Sequence, residues 1–299
     1  MQTRTLKSDL LLLFAAAIWG FAFVAQRQGM QHIGPFLFNA LRFALGTLVL
    51  LPFLPRRLPP QPQTSSWMGR FGGIILGLIL FSGASLQQIG IVYTSAGKAG
   101  FITGLYVVMV PFVGWFLNHR INVEHWLAVL LTVIGLFFLT ITSEFTIEKG
   151  DLFVLMGAFF WTGHVHLIGW LAPRTPTIRL AATQFMVCAL LSLIAALFLE
   201  PVIGQNIYRA GVPLLYGGVM SVGVAFSLQV YGQKNAPPTH AAILLSLEAV
   251  FAVLGGWLIL AEKLSSRSLF GCALMLLGML SAQVRIFKSQ RSVNIVVEN

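Results

Sequence analysis

The stretch LLSLEAVFAVLGGWLIL, Leu244 to Leu260, suits the interior of a membrane at every position but one, and that one is Glu248. A helix rises 1.5 Å per residue, so the apolar run beginning near position 238 is long enough to cross a bilayer. It places Glu248 about 15 Å along its axis. An acidic side chain at that depth costs about 2.5–3.5 kcal/mol on insertion scales and needs a reason to be there. Two roles are open to it. It is a site for a proton or a substrate cation, or it is a structural carboxyl bonded to neighbouring helices.

The rest of the chain repeats this apolar character. Of 299 residues, 57% are hydrophobic and 9% are charged, against about 25% charged in a soluble domain. Nine acidic side chains cannot solvate a soluble globule of this size, so lipid is the solvent for most of the chain. The formal charge of +10 is spread over short loops, without a basic patch interleaved with aromatics, and no nucleic-acid partner is expected. Cys188 and Cys272 lie inside apolar runs without metal-ligand spacing and read as packing residues. Arg4 and Lys7 before the first apolar run imitate a signal peptide. No small-residue cleavage site closes that run, so it reads as the first membrane helix.

Ten segments are long and apolar enough to span: 9–27, 34–54, 71–93, 97–117, 124–141, 151–171, 178–199, 210–231, 238–260 and 267–285. Their connections are short and polar, the longest being the proline-rich PRRLPPQPQTSS from Pro55 to Ser66. With the N-terminus inside, the cytoplasmic side holds Arg4, Lys7, Arg56, Arg57, Arg70, Arg120, Arg174, Arg179, Lys234, Arg285, Lys288 and Arg291. The outer side holds only Arg27, Lys98, Lys149, Arg209, Lys263 and Arg267. The bias places both termini in the cytoplasm of a multi-pass protein of the cytoplasmic (inner) membrane.

The chain is also written twice. At an offset of 142, Asp9 meets Asp151, Trp19 meets Trp161, Phe43 meets Phe185, and SLQQIG (Ser85–Gly90) meets SLQVYG (Ser227–Gly232). With one residue inserted, Ala99 meets Ala242, Val107 meets Val250, and Glu248 falls opposite Leu105. Five helices per half is an odd number, so the second half enters the membrane from the other side. The expected fold is all-α and integral to the membrane, with ten transmembrane helices as two inverted five-helix repeats. The first repeat takes 1–142, the second 143–287, and 288–299 is a polar cytoplasmic tail. Inverted repeats around a midplane site are the build of many secondary transporters.

These residues also resemble the drug/metabolite transporter superfamily, specifically the ten-helix EamA-type permeases. The resemblance rests on AAAIWGFAFVA (Ala15–Ala25), NALRFALGTLVL (Asn39–Leu50), YTSAGKAGFITGLYVVMVPF (Tyr93–Phe112), LEAVFAVLGGWLILAEKL (Leu247–Leu264) and GCALMLLGML (Gly271–Leu280). It implies export of amino acids, metabolites or toxic compounds and names no substrate. Two departures stand out. Ala249 follows the helix-nine glutamate where the family pattern has proline, and His119-Arg120 follows helix four where an acidic residue is usual.

Polar groups deep in apolar helices are the candidates for a site. Arg42 either holds a substrate carboxylate, pairs with Glu248, or snorkels to the interface. Gln87 and Gln229, equivalent in the repeat, either line a path or bind helices together, as does Gln88. Trp19 and Trp161 lie too deep for an interfacial belt and offer flat faces to a cation or an aromatic, or else pack the core. His164 and His166 point to different helix faces and cannot chelate one metal. Gly73-x3-Gly77 and Gly100-x3-Gly104 suit close helix approach.

No glycine-rich phosphate loop, GxSxG, HExxH or paired acidic motif occurs, so no catalytic residue, metal or cofactor is expected. The carboxylates other than Glu248 (Asp9, Glu124, Glu144, Glu148, Asp151, Glu200, Glu262 and Glu298) read as terminal or in loops. The expectation is therefore a secondary transporter, not an enzyme. It would carry a small organic solute by alternating access, with protons as a candidate coupling partner and the lipid bilayer as its surroundings. Substrate-binding residues would be Trp19, Arg42, Gln87, Trp161 and Gln229, with Glu248 as the coupling or cavity carboxylate. The alternative is an integral-membrane enzyme acting on lipid or isoprenoid substrates. Nothing in the sequence sets an oligomeric state.

Overall fold

In hydrocarbon every backbone N–H and C=O must find a partner within the chain, and the apolar segments meet that demand as helices. The computed structural model describes residues 2–54, 67–94, 96–117, 123–140, 149–260, 265–267, 269–278 and 281, and no strand occurs among them. The linker expected at Pro55–Ser66, the junction of the halves at 142/143 and the 288–299 tail lie outside the described residues.

The helices run α1 Gln2–Gly29, α2 Pro35–Leu50, α3 Trp67–Tyr93, α4 Ala96–Gly104, α5 Tyr106–Phe116 and α6 Val123–Thr140. There follow α7 Lys149–Leu171, α8 Thr177–Leu199, α9 Gly204–Arg209, α10 Gly211–Leu215, a π-helical stretch Tyr216–Phe226, α11 Ser227–Gln233, α12 Pro238–Leu245 and α13 Glu248–Leu260. The last, α14, is Leu269–Gly278. Eight helical stretches among the described residues are long and apolar enough to cross a membrane. Two shorter apolar helices, His125–Phe138 and Leu269–Gly278, fall where the sequence places its fifth and tenth spans.

The fourth and ninth spans, read as continuous in the sequence, are each interrupted near the middle. Leu105 separates α4 from α5, and Ser246-Leu247 separate α12 from α13. The eighth widens into π-helix over YGGVMSVGVAF, where Gly217, Gly218 and Gly223 give α2 a close approach. A Cβ on Gly218 would stand 2.5 Å from Leu45 Cβ and 3.1 Å from Arg42 O.

Polarity is distributed for lipid rather than water. Phe14, Leu48, Phe159, Leu197 and Phe198 face outward, while Asn39, Gln88, His164, Gln184, Ser192 and Ser246 are wholly buried. Small residues draw the helices together, as the glycine pairs suggest. Gly90 and Gly150 hold α3 against α7, and Gly73 and Gly77 seat Thr183 and Val187 of α8.

Asp9 and Asp151 correct the sequence reading: both lie inside helices and are buried. His240 Nε2 donates to Asp9 Oδ1 at 2.8 Å, tying α12 to α1. Thr94 Oγ1 donates to Asp151 Oδ1 at 2.7 Å while Arg27 donates to Thr94 O, tying α1, α3 and α7. Glu200 is also more than a loop residue. Its two oxygens accept the Phe36 and Leu37 backbone N–H groups at 2.8 Å, capping α2 from the end of α8.

Candidate functional site

The two interruptions and the π-helical stretch border one cavity. All six side chains singled out from the sequence line it. Trp19 reaches it from α1, Arg42 from α2, Gln87 from α3, Trp161 from α7, Gln229 from α11 and Glu248 from the first residue of α13. Each is a polar or amphipathic group on a largely apolar helix, so burying it away from lipid brings them together.

The tryptophans form one wall, packed on Phe226. Trp19 meets that ring edge-on at 4.7 Å between centroids, and Trp161 stacks on it at 6.1 Å. Both indole N–H groups are taken. Trp19 Nε1 donates to Ser221 O at 3.1 Å, a carbonyl of the π-helical stretch, and Trp161 Nε1 donates to Gln87 Oε1 at 2.8 Å. Gln87 Nε2 points in turn to Gln26 Oε1 at 3.5 Å. The repeat-related Gln229 differs: its Oε1 is buried and has no partner among the described residues.

Arg42 stays inside. It is 3% exposed, its Nε donates to Asn39 Oδ1 at 2.9 Å, and its guanidinium lies 4.8 Å from the Phe43 ring centroid. Neither the pairing with Glu248 nor the escape to the interface occurs: no ion pair joins Arg42 to Glu248 among the described residues. Glu248, 5% exposed, has the Tyr106 hydroxyl turned toward its carboxyl instead.

Gln88 and the two histidines lie off the cavity. His164 Nε2 contacts Gln184 Oε1 at 2.8 Å and His166 Nε2 contacts Val110 O at 2.8 Å, so each serves helix packing. Among the described residues no group of three or more His, Cys, Asp or Glu is placed to hold a metal ion.

Sequence reasoning missed Gln26, Thr103, Tyr106, Ser221 and Phe226 as cavity residues. Gln26 carried a signal: it lies two helical turns beyond Trp19, on the same face. Tyr106 carried another, since it stands opposite Glu248 at the uninterrupted offset of 142. Thr, Ser and Phe are too ordinary in membrane helices to mark a site.

A multi-pass helical membrane protein with polar groups turned into a central cavity has the build of a carrier. The chain belongs to the EamA-like transporter family, whose signature matches twice, over residues 6–141 and 148–282. It is 32% identical to an uncharacterized transporter of Archaeoglobus fulgidus over 284 residues, 95% of this chain and 88% of that one. It is 26% identical to the uncharacterized transporter YoaV of Bacillus subtilis, over 89% of this chain and 93% of that one. A WAT1-related chloroplastic protein of Arabidopsis thaliana, At3g02690, is 26% identical over 87% of this chain and 65% of its own length. One solved crystal structure superposes with a TM-score of 0.73 over 93% of this chain and 96% of its own; at 22% identity it speaks for the fold alone. The protein is a multi-pass membrane transporter.

Proposed function

We propose that the protein is a secondary transporter that exports a small organic solute across the cytoplasmic membrane by alternating access. The observation that carries this reading is the cavity, to which α1, α2 and α3 of the first half and α7, α11 and α13 of the second each contribute a polar or aromatic side chain. In this reading the shorter helices α6 and α14 complete ten spans, and residues 1–142 and 143–287 form two inverted five-helix repeats. Both termini are cytoplasmic. The solute binds between the repeats against Trp19, Arg42, Gln87, Trp161 and Gln229. The two interrupted spans supply the joints, because a break in the backbone ladder lets half a helix move without the other.

Glu248 is the coupling group. It is the one acidic side chain among the cavity's lining residues, and a carboxyl that gains and loses a proton there changes the cavity's charge as it opens to either side. The test is solute flux in proteoliposomes under an imposed pH gradient, comparing wild type with Glu248→Gln. The solute is chosen by profiling metabolites of cells with and without the protein. Expected is gradient-driven flux in wild type that the substitution uncouples. Flux indifferent to both gradient and substitution overturns the coupling role.

A further inference from the structure

We infer that the transported solute carries a carboxylate on a flat apolar body, and that Arg42 is the residue that reads the carboxylate. This rests on the cavity being the solute site. Arginine has five N–H donors in a planar fork. Arg42 uses Nε on Asn39, and its guanidinium lies over Phe43 and Phe38, whose ring centroids are 4.8 and 5.8 Å away. The terminal nitrogens meet no carboxylate within ion-pair distance among the described residues. A guanidinium so placed in a membrane interior is expensive when alone. A bound carboxylate offsets that cost with a bidentate contact. A cationic solute adds a second like charge beside it.

The body of the solute follows from the aromatic wall of the same cavity. Trp19 and Trp161 spend their only donors on Ser221 O and Gln87 Oε1, so toward the cavity they present ring faces and apolar edges. Phe226 extends that surface. A polyol would find little there to replace its water, whereas a ring or a short planar hydrocarbon would stack. Specificity would then be set jointly by the charge read at Arg42 and by the flatness of the body.

The test uses the purified full-length protein and three probes that share one ring and differ in charge: phenylacetate, phenylalanine and phenethylamine. Binding is read by titrating intrinsic tryptophan fluorescence and by the shift in thermal unfolding. Saturable binding of the two carboxylates is expected, with phenethylamine weaker by about tenfold or more. Arg42→Gln is expected to erase that preference and Arg42→Lys to retain part of it, since the ammonium keeps the charge and loses the fork. The wild-type series stands even if a variant fails to fold. The inference is overturned if the amine binds as well as the acids, if neither acid binds, or if Arg42→Gln keeps the acid preference. Amine binding alone would leave the cavity as a solute site. Flux that no cavity substitution alters would remove the site itself.

Discussion

Tyr106 and Glu248 stand at corresponding points of the two halves: each opens the second part of an interrupted span, and the Tyr106 hydroxyl is turned toward the Glu248 carboxyl. Matching the sequences with an inserted residue put Leu105 opposite Glu248. The helix starts restore the offset of 142 that relates Trp19 to Trp161 and Gln87 to Gln229. One hydroxyl and one carboxyl thus occupy equivalent places, the first turned toward the second.

This arrangement predicts a coupled pair. Tyr106→Phe removes the hydroxyl and keeps the ring, so flux is expected to fall severalfold in the wild-type background. In Glu248→Gln the same change is expected to do much less, because the group it serves has gone. A double-mutant cycle on flux reads the difference, with a coupling of about 1 kcal/mol as the scale of one hydrogen bond. Independent, additive effects would show that the two side chains act apart.

Gly20 predicts a steric result. On α1 it packs against the backbone of α13, where a Cβ would come within 2.6 Å of Glu248 O and 2.7 Å of Ala252 N. Neither atom can rotate away, so Gly20→Ala is expected to push α13 outward, destabilising by about 1–3 kcal/mol and lowering flux. Gly163, inside α7, has nothing within 4 Å of a Cβ. Gly163→Ala is expected to be neutral or stabilising by about 0.5–1 kcal/mol. Thermal unfolding in detergent compares the two.

The membrane class and the cavity lining were legible because both rest on the cost of placing groups in hydrocarbon. A glutamate, an arginine, two glutamines and two deep tryptophans are conspicuous in apolar helices, and the cavity collects all six. The interruptions were not legible. Ser246-Leu247-Glu248 contains no proline or glycine, and the ninth span breaks there through a local turn in which Ser246 Oγ bonds back to Ile243 O at 2.8 Å. Asp9 and Asp151 misled for the opposite reason. Their positions at span starts suggest an interface, and only the packing of α12 and α3 shows them buried.

Glu200 predicts an effect on stability without one on chemistry. Its carboxylate caps α2 across the fold and is not among the residues that line the cavity. Glu200→Ala leaves the Phe36 and Leu37 N–H groups unanswered and is expected to cost about 1–2 kcal/mol. Glu200→Gln keeps one acceptor oxygen, loses the charge at the helix N-terminus and is expected to cost less. Melting temperature should rank wild type, Gln and Ala in that order, with flux per folded molecule unchanged.

The topology itself predicts a labelling pattern. Gln31 follows α1 and Pro173 follows α7, both are exposed, and they are related by the same offset of 142. In an inverted repeat these two points lie on opposite faces of the membrane; in a parallel repeat they share one. Single cysteines are placed at each position after Cys188 and Cys272 are replaced, and intact cells are treated with a membrane-impermeant maleimide. With the N-terminus inside, Gln31→Cys is expected to label in intact cells and Pro173→Cys only after permeabilisation. Labelling of both from outside would make the repeats parallel, and the reverse pattern would keep them inverted with the N-terminus outside.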